Sequence, residues 1–369
     1  MIKQVWFILD VRYPTEKAYG VTTNFTAAAI QKLGNYIVTV VTPQLETSFS
    51  SSVKNIEIKM PLECIRKIGM RQNNLISKLT YNFWKYLYPL KIAKIVKRKD
   101  SLLWLRDIRM SLILSFLGYQ VVCEIHREPS KFSKVELRML NKIPNATIVL
   151  ISENLKLKLK IKKTKSLIAG MSVNEDELIQ TAKKNNENEF IVGYIGSVHS
   201  SGNKLSIDVI LKAAAALENI EPKVQFKLIG FKSEDINEIT EDKHPKNLRF
   251  LGRLSRHDLF KELDTFNIGL VIYPDTKYFL DSFPIKIVEY ASRKVPIIAS
   301  NTRSHKMILG ENKALFFEVN SSTSLMESIS RIIENKQLAS TLSKNGFDWV
   351  TSLTYENRAK NVLAVADFD

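Results

Sequence analysis

The densest run of groups able to do chemistry is Asp281-Ser282-Phe283-Pro284-Ile285-Lys286-Ile287-Val288-Glu289-Tyr290. Proline fits the first turn of a helix, where its missing N–H costs nothing, so Pro284 predicts a helix start with Glu289 about one and a half turns further on. The amides of Phe283, Pro284's neighbour Ile285, Lys286 and Ile287 would then fall among the unsatisfied first-turn donors, which suit a diphosphate. Lys286 adds a cation beside them. Glu289 supplies a carboxylate able to accept both hydroxyls of a ribose, as acidic residues do in dinucleotide folds. An ordinary capped amphipathic helix with a solvated glutamate and lysine has the same spacing, and spacing alone leaves both readings open.

Positioning such a turn requires a strand before it and a sheet beneath it. Short apolar segments alternate with helix-period segments along almost the whole chain, the pattern of βαβ units and a parallel sheet. The predicted strands are 4–9, 36–41, 102–105, 120–124, 147–151 and 166–168, then 190–196, 225–229, 248–251, 268–272 and 296–299. Helices are expected at 25–34, 205–218, 256–264, 284–292, 323–334, 337–345 and 355–367. The polar, aperiodic stretch from Gln180 to Glu189 reads as a linker. The fold class is therefore α/β, with two doubly wound Rossmann-like domains at 1–180 and 181–350 and a C-terminal helix at 351–369 that packs back on the first. In such folds ligands bind beyond the carboxyl ends of the strands, which places the expected site in a central crevice.

The Asp281–Glu289 spacing, with Val295-Pro296-Ile297-Ile298-Ala299 after it, resembles the acidic-x7-acidic signature of glycosyltransferase family 4, retaining enzymes of GT-B architecture. It is closest to the sub-pattern proline-x-lysine-x-x-glutamate-tyrosine. Asp281 stands where glutamate is usual, and Ser282 and Lys294 where glycine is common. The resemblance gives Asp281 the donor-sugar hydroxyls and Glu289 the ribose, with Phe283, Pro284, Ile285 and Ile287 around the diphosphate. It extends over nearly the whole chain. Gly20 and Val21 resemble the N-terminal glycine loop near the donor phosphate. His126, in Glu124-Ile125-His126, resembles the crevice histidine beside donor sugar and acceptor. Ser197 and Lys204 resemble the basic pair that steadies the leaving diphosphate, with Ser197 in the place of an arginine and Lys286 as a helper. Gly230, and Arg253 with Leu254, resemble the loops around the nucleotide base.

These motifs imply sugar transfer with retention from a nucleotide sugar, UDP- or GDP-linked, to a glycan or lipid-linked glycan. Bacterial surface polysaccharide, lipopolysaccharide or capsule assembly is the implied setting, and no metal or other cofactor is implied. His126, Asp281, Lys204 and Lys286 carry the catalytic expectation. Two rivals share the architecture: another GT-B enzyme such as a nucleotide-sugar epimerase, and a catalytically silent binding subunit, which the weakened signature keeps in view.

Bulk properties exclude other classes. The chain has 369 residues, enough for two domains, with 45% hydrophobic and 25% charged residues, which is ordinary for globular proteins. Cys64 and Cys123 cannot form a disulfide framework or a four-cysteine zinc site, and the five histidines show no HExxH spacing. No signal core or membrane-spanning stretch is apparent, which predicts a cytoplasmic protein. The formal charge of +16 is lopsided, with 29 Lys and Arg against 14 Asp and Glu in residues 1–180. A half so basic seeks a polyanion. The amphipathic, basic run through Trp84, Tyr86, Leu87, Tyr88, Leu90, Ile92, Ile95 and Val96 favours an anionic membrane surface, with the protein peripheral at the inner face of the cell membrane. No nucleic-acid motif appears, so nucleic acid is not an expected partner.

Overall fold

The computed structural model describes residues 2–15, 18–46, 51–59, 75–161, 165–179, 189–200, 203–240, 244–277 and 279–368. The chain divides into two compact units, Met1–Gly170 with Tyr355–Asp369, and Met171–Thr354. The first division thus falls ahead of the polar 180–189 stretch, most of which lies outside the described residues.

Unit 1 is built on a parallel sheet of β1 (Lys3–Ile8), β2 (Tyr36–Thr42), β3 (Lys54–Glu57), β4 (Ser101–Leu105), β5 (Gln120–Ile125), β6 (Ala146–Leu150) and β7 (Ser166–Ile168), in the order β3-β2-β1-β4-β5-β6-β7. Its helices are α1 (Ala18–Lys32), α2 (Leu75–Ile95), α3 (Ile108–Phe116), α4 (Lys131–Leu140), α5 (Glu153–Leu159) and, from the far end of the sequence, the helix Tyr355–Val365. Strands β4 and β6, SLLWL and ATIVL, are buried at every position, as expected of a parallel sheet covered on both faces. Alternate residues of one strand feed opposite cores. Leu102 and Trp104 pack with α1 residues Ala27 and Ile30 and with Tyr355, Ala359 and Val362; Leu103 and Leu105 pack with Trp84, Tyr88 and Ile92 of α2 and Met110 and Leu114 of α3.

Unit 2 has its own parallel sheet of β8 (Phe190–Ile195), β11 (Val224–Ile229), β12 (Leu248–Phe250), β13 (Ile268–Val271), β14 (Ile297–Ser300) and β15 (Ala314–Phe317), ordered β12-β11-β8-β13-β14-β15. A separate two-stranded hairpin pairs β9 (His199–Ser200) with β10 (Asn203–Lys204). The helices are α6 (Asp208–Ile220), α7 (Ser233–Thr240), α8 (Arg256–Leu263), α9 (Ile285–Ser292), α10 (Arg303–Leu309), α11 (Ser322–Glu334) and α12 (Lys336–Val350), and the unit 1 helix Tyr355–Val365 completes the series as α13.

Two differences from the sequence expectations have physical causes. The first helix begins at Ala18, not near Phe25. Its opening AYGVTTN is poor in helix formers, but the Thr22 and Thr23 hydroxyls donate to the Tyr19 carbonyl and Thr26 to that of Thr22. Those bonds satisfy inside a helix the groups that ordinarily compete with it. Gly20 accordingly lies in the first turn of α1 and not in a loop before it. A Cβ there would stand 2.5 Å from the Thr15 carbonyl oxygen. The second difference is at the sheet edges, where β3, KNIE, is short and polar and β15, ALFF, is apolar but only four residues long.

Candidate active site

In each unit the strand order reverses beside one central strand, and such a switch point is where an open α/β sheet binds ligands. In unit 2 the switch lies between β8 and β13. Tyr290 of α9 spans it: its hydroxyl accepts from the Ile195 amide at 2.9 Å and donates to the Leu270 carbonyl at 3.2 Å. This pins the start of α9 over the carboxyl ends of both strands.

At the same place lies Lys286. Its ammonium is 4.2 Å from the centre of the Tyr194 ring and 5.3 Å from that of Tyr273. It is also 2.9 Å from where a Cβ on Gly196 would sit, so any larger residue in that turn would displace it. Only 6% of Lys286 is exposed, and it makes no hydrogen bond or ion pair with a described residue. Burial pushes its ammonium down to about 7, with Glu289 pulling the other way. A buried cation without a counter-ion is costly, and this one faces a glycine turn.

Helix α9, like α6, has no side-chain cap at its start. Helices α8, α10, α11 and α12 are each capped by a side chain, Ser255, Thr302, Ser321 and Asn335 respectively. The cap of α9 is Pro284, which offers none. Ile287 donates back to the Pro284 carbonyl, and the helix begins beside Phe283, which stacks on Trp349 at 6.3 Å between centroids. The loop leading into it is fixed by Ser304, whose hydroxyl donates to the Ser282 carbonyl. Pro284 is buried while Phe283 and Ile285 are half-exposed.

The remaining sequence-singled residues of unit 2 divide between this switch point and elsewhere. Asp281 is buried just before α9. Glu289 is buried and held by Arg256 at 3.1 Å, which also bonds Glu177. Burial pushes the Glu289 carboxyl up and Arg256 opposes it. Gly230 ends β11 and leans on the Gly196 turn. Its φ is +104°, and a Cβ would lie 2.4 Å from the Gly196 oxygen. Gly230→Ala is therefore expected to cost unit 2 about 3 kcal/mol through strain and overlap; an unchanged melting temperature would refute that reading. Ser197 bonds the His199 carbonyl at 2.6 Å, Arg253 is exposed, and Leu254 packs against the core. Lys204 is not gathered in: it is 61% exposed on the hairpin and paired with Glu238 at 2.9 Å. The lysine that the sequence made a helper is the buried, unpaired one, and the lysine it made principal is engaged at the surface.

Unit 1 switches between β1 and β4. A pocket there is lined by Leu9, Thr22, Thr26, Trp104, Arg106 and Glu124, among others. Glu124 accepts from Arg106 at 3.3 Å, from Arg358 of α13, and meets His126 Nε2 at 3.0 Å. Burial pushes the Glu124 carboxyl up, but Arg358, His126 and Arg106 outweigh it and hold it well below the usual range. Burial, with Arg106 beside it, lowers His126 to about 4. The imidazole is neutral at pH 7. An ionised Glu124 can only accept, so Nε2–H donates the hydrogen bond to it, which leaves Nδ1 as an acceptor. Val21 is half-buried in α1. Sequence reasoning missed Arg106, Glu124 and Arg358. Glu124 was legible, since residues two apart on a strand share a side; Arg358 was not, because nothing local links it to residue 124.

Residues 175–349 match the family model described as glycosyl transferases group 1. That match covers most of unit 2. The architecture of the chain is the GT-B fold, shared with solved structures of glycosyltransferases at low identity. Sucrose-phosphate synthase from Thermosynechococcus elongatus is 16% identical, with 99% of this chain and 98% of that one covered and a TM-score of 0.71. A glycosyltransferase from Rickettsia africae is 15% identical over 99% and 98%, with a TM-score of 0.70. Anabaena HepE, solved in complex with UDP and glucose, is 13% identical over 98% and 99%, with a TM-score of 0.64. No curated protein matches the chain by sequence.

Proposed function

We propose that this protein is a glycosyltransferase that moves a sugar, with retention, from a UDP- or GDP-linked donor to a glycan or lipid-linked glycan in bacterial surface polysaccharide assembly. The observation that carries the donor half is Lys286, a buried ammonium that meets two tyrosine rings but no hydrogen-bond acceptor or ion pair among the described residues, set against the Gly196 turn beside the uncapped start of α9. A diphosphate supplies what that arrangement lacks: negative charge for the ammonium and acceptors for the first-turn amides. The UDP bound to HepE supports the nucleotide donor. The involvement of the structural neighbour WaaG, 12% identical with a TM-score of 0.67, in lipopolysaccharide biosynthesis supports the acceptor class.

In this reading the bond from the anomeric carbon to the diphosphate breaks while an acceptor hydroxyl attacks the same face and passes its proton to an oxygen of the departing diphosphate. Charge grows on the departing phosphate, where Lys286 and the α9 amides stabilise it without reorganising. Lys204 assists only after leaving Glu238. Glu289, oriented by Arg256, takes the ribose hydroxyls, and Asp281 those of the sugar. Gly230, Arg253 and Leu254 border the base. His126 Nδ1 accepts from a hydroxyl of sugar or acceptor. No metal takes part, so turnover is expected to persist in chelator.

Thermal unfolding with UDP, GDP and ADP is the direct test: one nucleoside diphosphate is expected to raise the melting temperature, and its sugar conjugate to do so further. Glu289→Gln should weaken the nucleoside far more than inorganic pyrophosphate. Failure of every nucleotide to bind would support the silent-subunit reading, and turnover of the donor without acceptor would identify an epimerase.

A further inference from the structure

One face of unit 1 takes no part in either switch point. Helix α2 buries one stripe, Trp84, Tyr88 and Ile92 with Pro89 beside Tyr88, which Val96 continues just past its end. Of its eight exposed positions between Asn82 and Ile95, five are apolar, with Phe83 62% and Leu90 47% exposed, and the only charged ones are Lys91 and Lys94. A surface helix ordinarily turns charges outward. Helix α4 repeats the anomaly: Phe132, Val135 and Met139 are exposed, with Lys131 and Arg138 between and beside them.

Arg109 of α3 joins the two rows. Its guanidinium lies 4.8 Å from the Tyr86 ring centre and 5.3 Å from that of Phe132, so an aromatic ring from α2 and one from α4 flank the same cation. The acids nearby are already engaged: Glu136 by Arg109, Asp107 by Lys85, and Glu128 by Lys134 and Lys158. From Cys64 to Lys99 the sequence holds ten Lys and Arg and no Asp or Glu. No helix among the described residues is long and apolar enough to cross a membrane.

We propose that the face made by α2, α3 and α4 docks on an anionic lipid bilayer, its aromatic and aliphatic side chains entering the headgroup boundary and its lysines and arginines meeting lipid phosphates. Exposed apolar rows interleaved with cations are what a surface-bound element needs, since neither term alone gives firm binding. A second copy of the chain fits less well, because a two-fold contact would set this cation-rich face against itself. Nucleic acid would use the cations but leave the aliphatic rows in water.

The test is co-sedimentation of the full chain with vesicles of phosphatidylcholine alone and of phosphatidylcholine with 30% phosphatidylglycerol, at low and high salt. Binding is expected only to the anionic vesicles and to weaken with salt. The triple change Phe83→Ser, Leu90→Ser, Phe132→Ser should lower partitioning at least tenfold, as should Lys91→Glu with Lys94→Glu, each with an unchanged melting temperature. No sedimentation with anionic vesicles, or sedimentation indifferent to both variants, overturns the proposal. So does light scattering that shows a dimer dissolved by the triple change while lipid binding stays put. The inference does not rest on the nucleotide-sugar reading: loss of nucleotide binding leaves it standing, and loss of lipid binding leaves that reading standing.

Discussion

Lys286→Met is expected to lower kcat/KM for sugar transfer by about 10²–10³-fold, the usual consequence of removing one preorganised donor from a developing charge, and to abolish the thermal stabilisation given by the nucleoside diphosphate. The empty protein should lose no stability, because methionine fills the same space without a desolvated charge. Two pH trends separate this from a merely structural role. The groups around the ammonium are Tyr194, Tyr273, Glu289 and His305. With folded Lys286 pushed down to about 7 from an ordinary value of 10.5, the unfolded chain holds the extra proton between those values. Stability of the empty protein therefore rises with pH across that window. An anion prefers the protonated ammonium, so stabilisation by nucleotide should fall over the same range. The variant should flatten both curves; parallel curves in parent and variant would remove Lys286 from the site.

Arg358→Ala is expected to destabilise unit 1 by about 3 kcal/mol, measured by denaturant unfolding, because it strips a buried carboxylate of one of its two guanidinium partners. The Glu124 and Arg358 side chains are 4% and 9% exposed, so solvent does little to screen the pair. Glu124 has a folded value well below its ordinary 4.5. Its contribution is thus complete above about pH 4.5 and is lost as pH falls through the lower, folded value. Parent stability should drop on acidification in that range, and Glu124→Gln should blunt the drop. Arg358→Ala should also shift the His126 titration, since Arg358 and Glu124 both bear on it. An Arg358→Ala protein as stable as the parent would show that Arg106 alone neutralises Glu124.

Much of the fold was legible because burial on both faces makes parallel strands continuous apolar runs, as in SLLWL and ATIVL, and because α9 is marked by Pro284 and a clear helical period. What escaped has common causes. The threonine-rich start of α1 violates local propensity and is rescued by hydroxyl-to-carbonyl bonds that pattern cannot foresee. At the candidate site the spacing of Asp281, Lys286 and Glu289 was enough to draw attention to α9, but not to rank the two lysines. That ranking depends on what each meets, Glu238 for Lys204 and two tyrosine rings for Lys286. Tyr290 was visible in the motif, yet its task of tying Ile195 to Leu270 follows only from the order of the strands. Arg256 and Arg358 likewise act on carboxylates far off in sequence, 33 and 234 residues away.

Unit 1 is closed by Tyr355–Asp369, while every residue of unit 2 comes before that segment. On the ribosome the amino-terminal lobe, though most of it is made first, must wait for residues 355 onward before Tyr355 can stack on Phe25 and Arg358 can reach Glu124. The lobe translated second has all its parts earlier and can mature first. A nascent chain halted just short of residue 355 would hold a finished carboxyl-terminal lobe and an amino-terminal one whose buried acid has lost one of its two guanidinium partners, a natural client for chaperones.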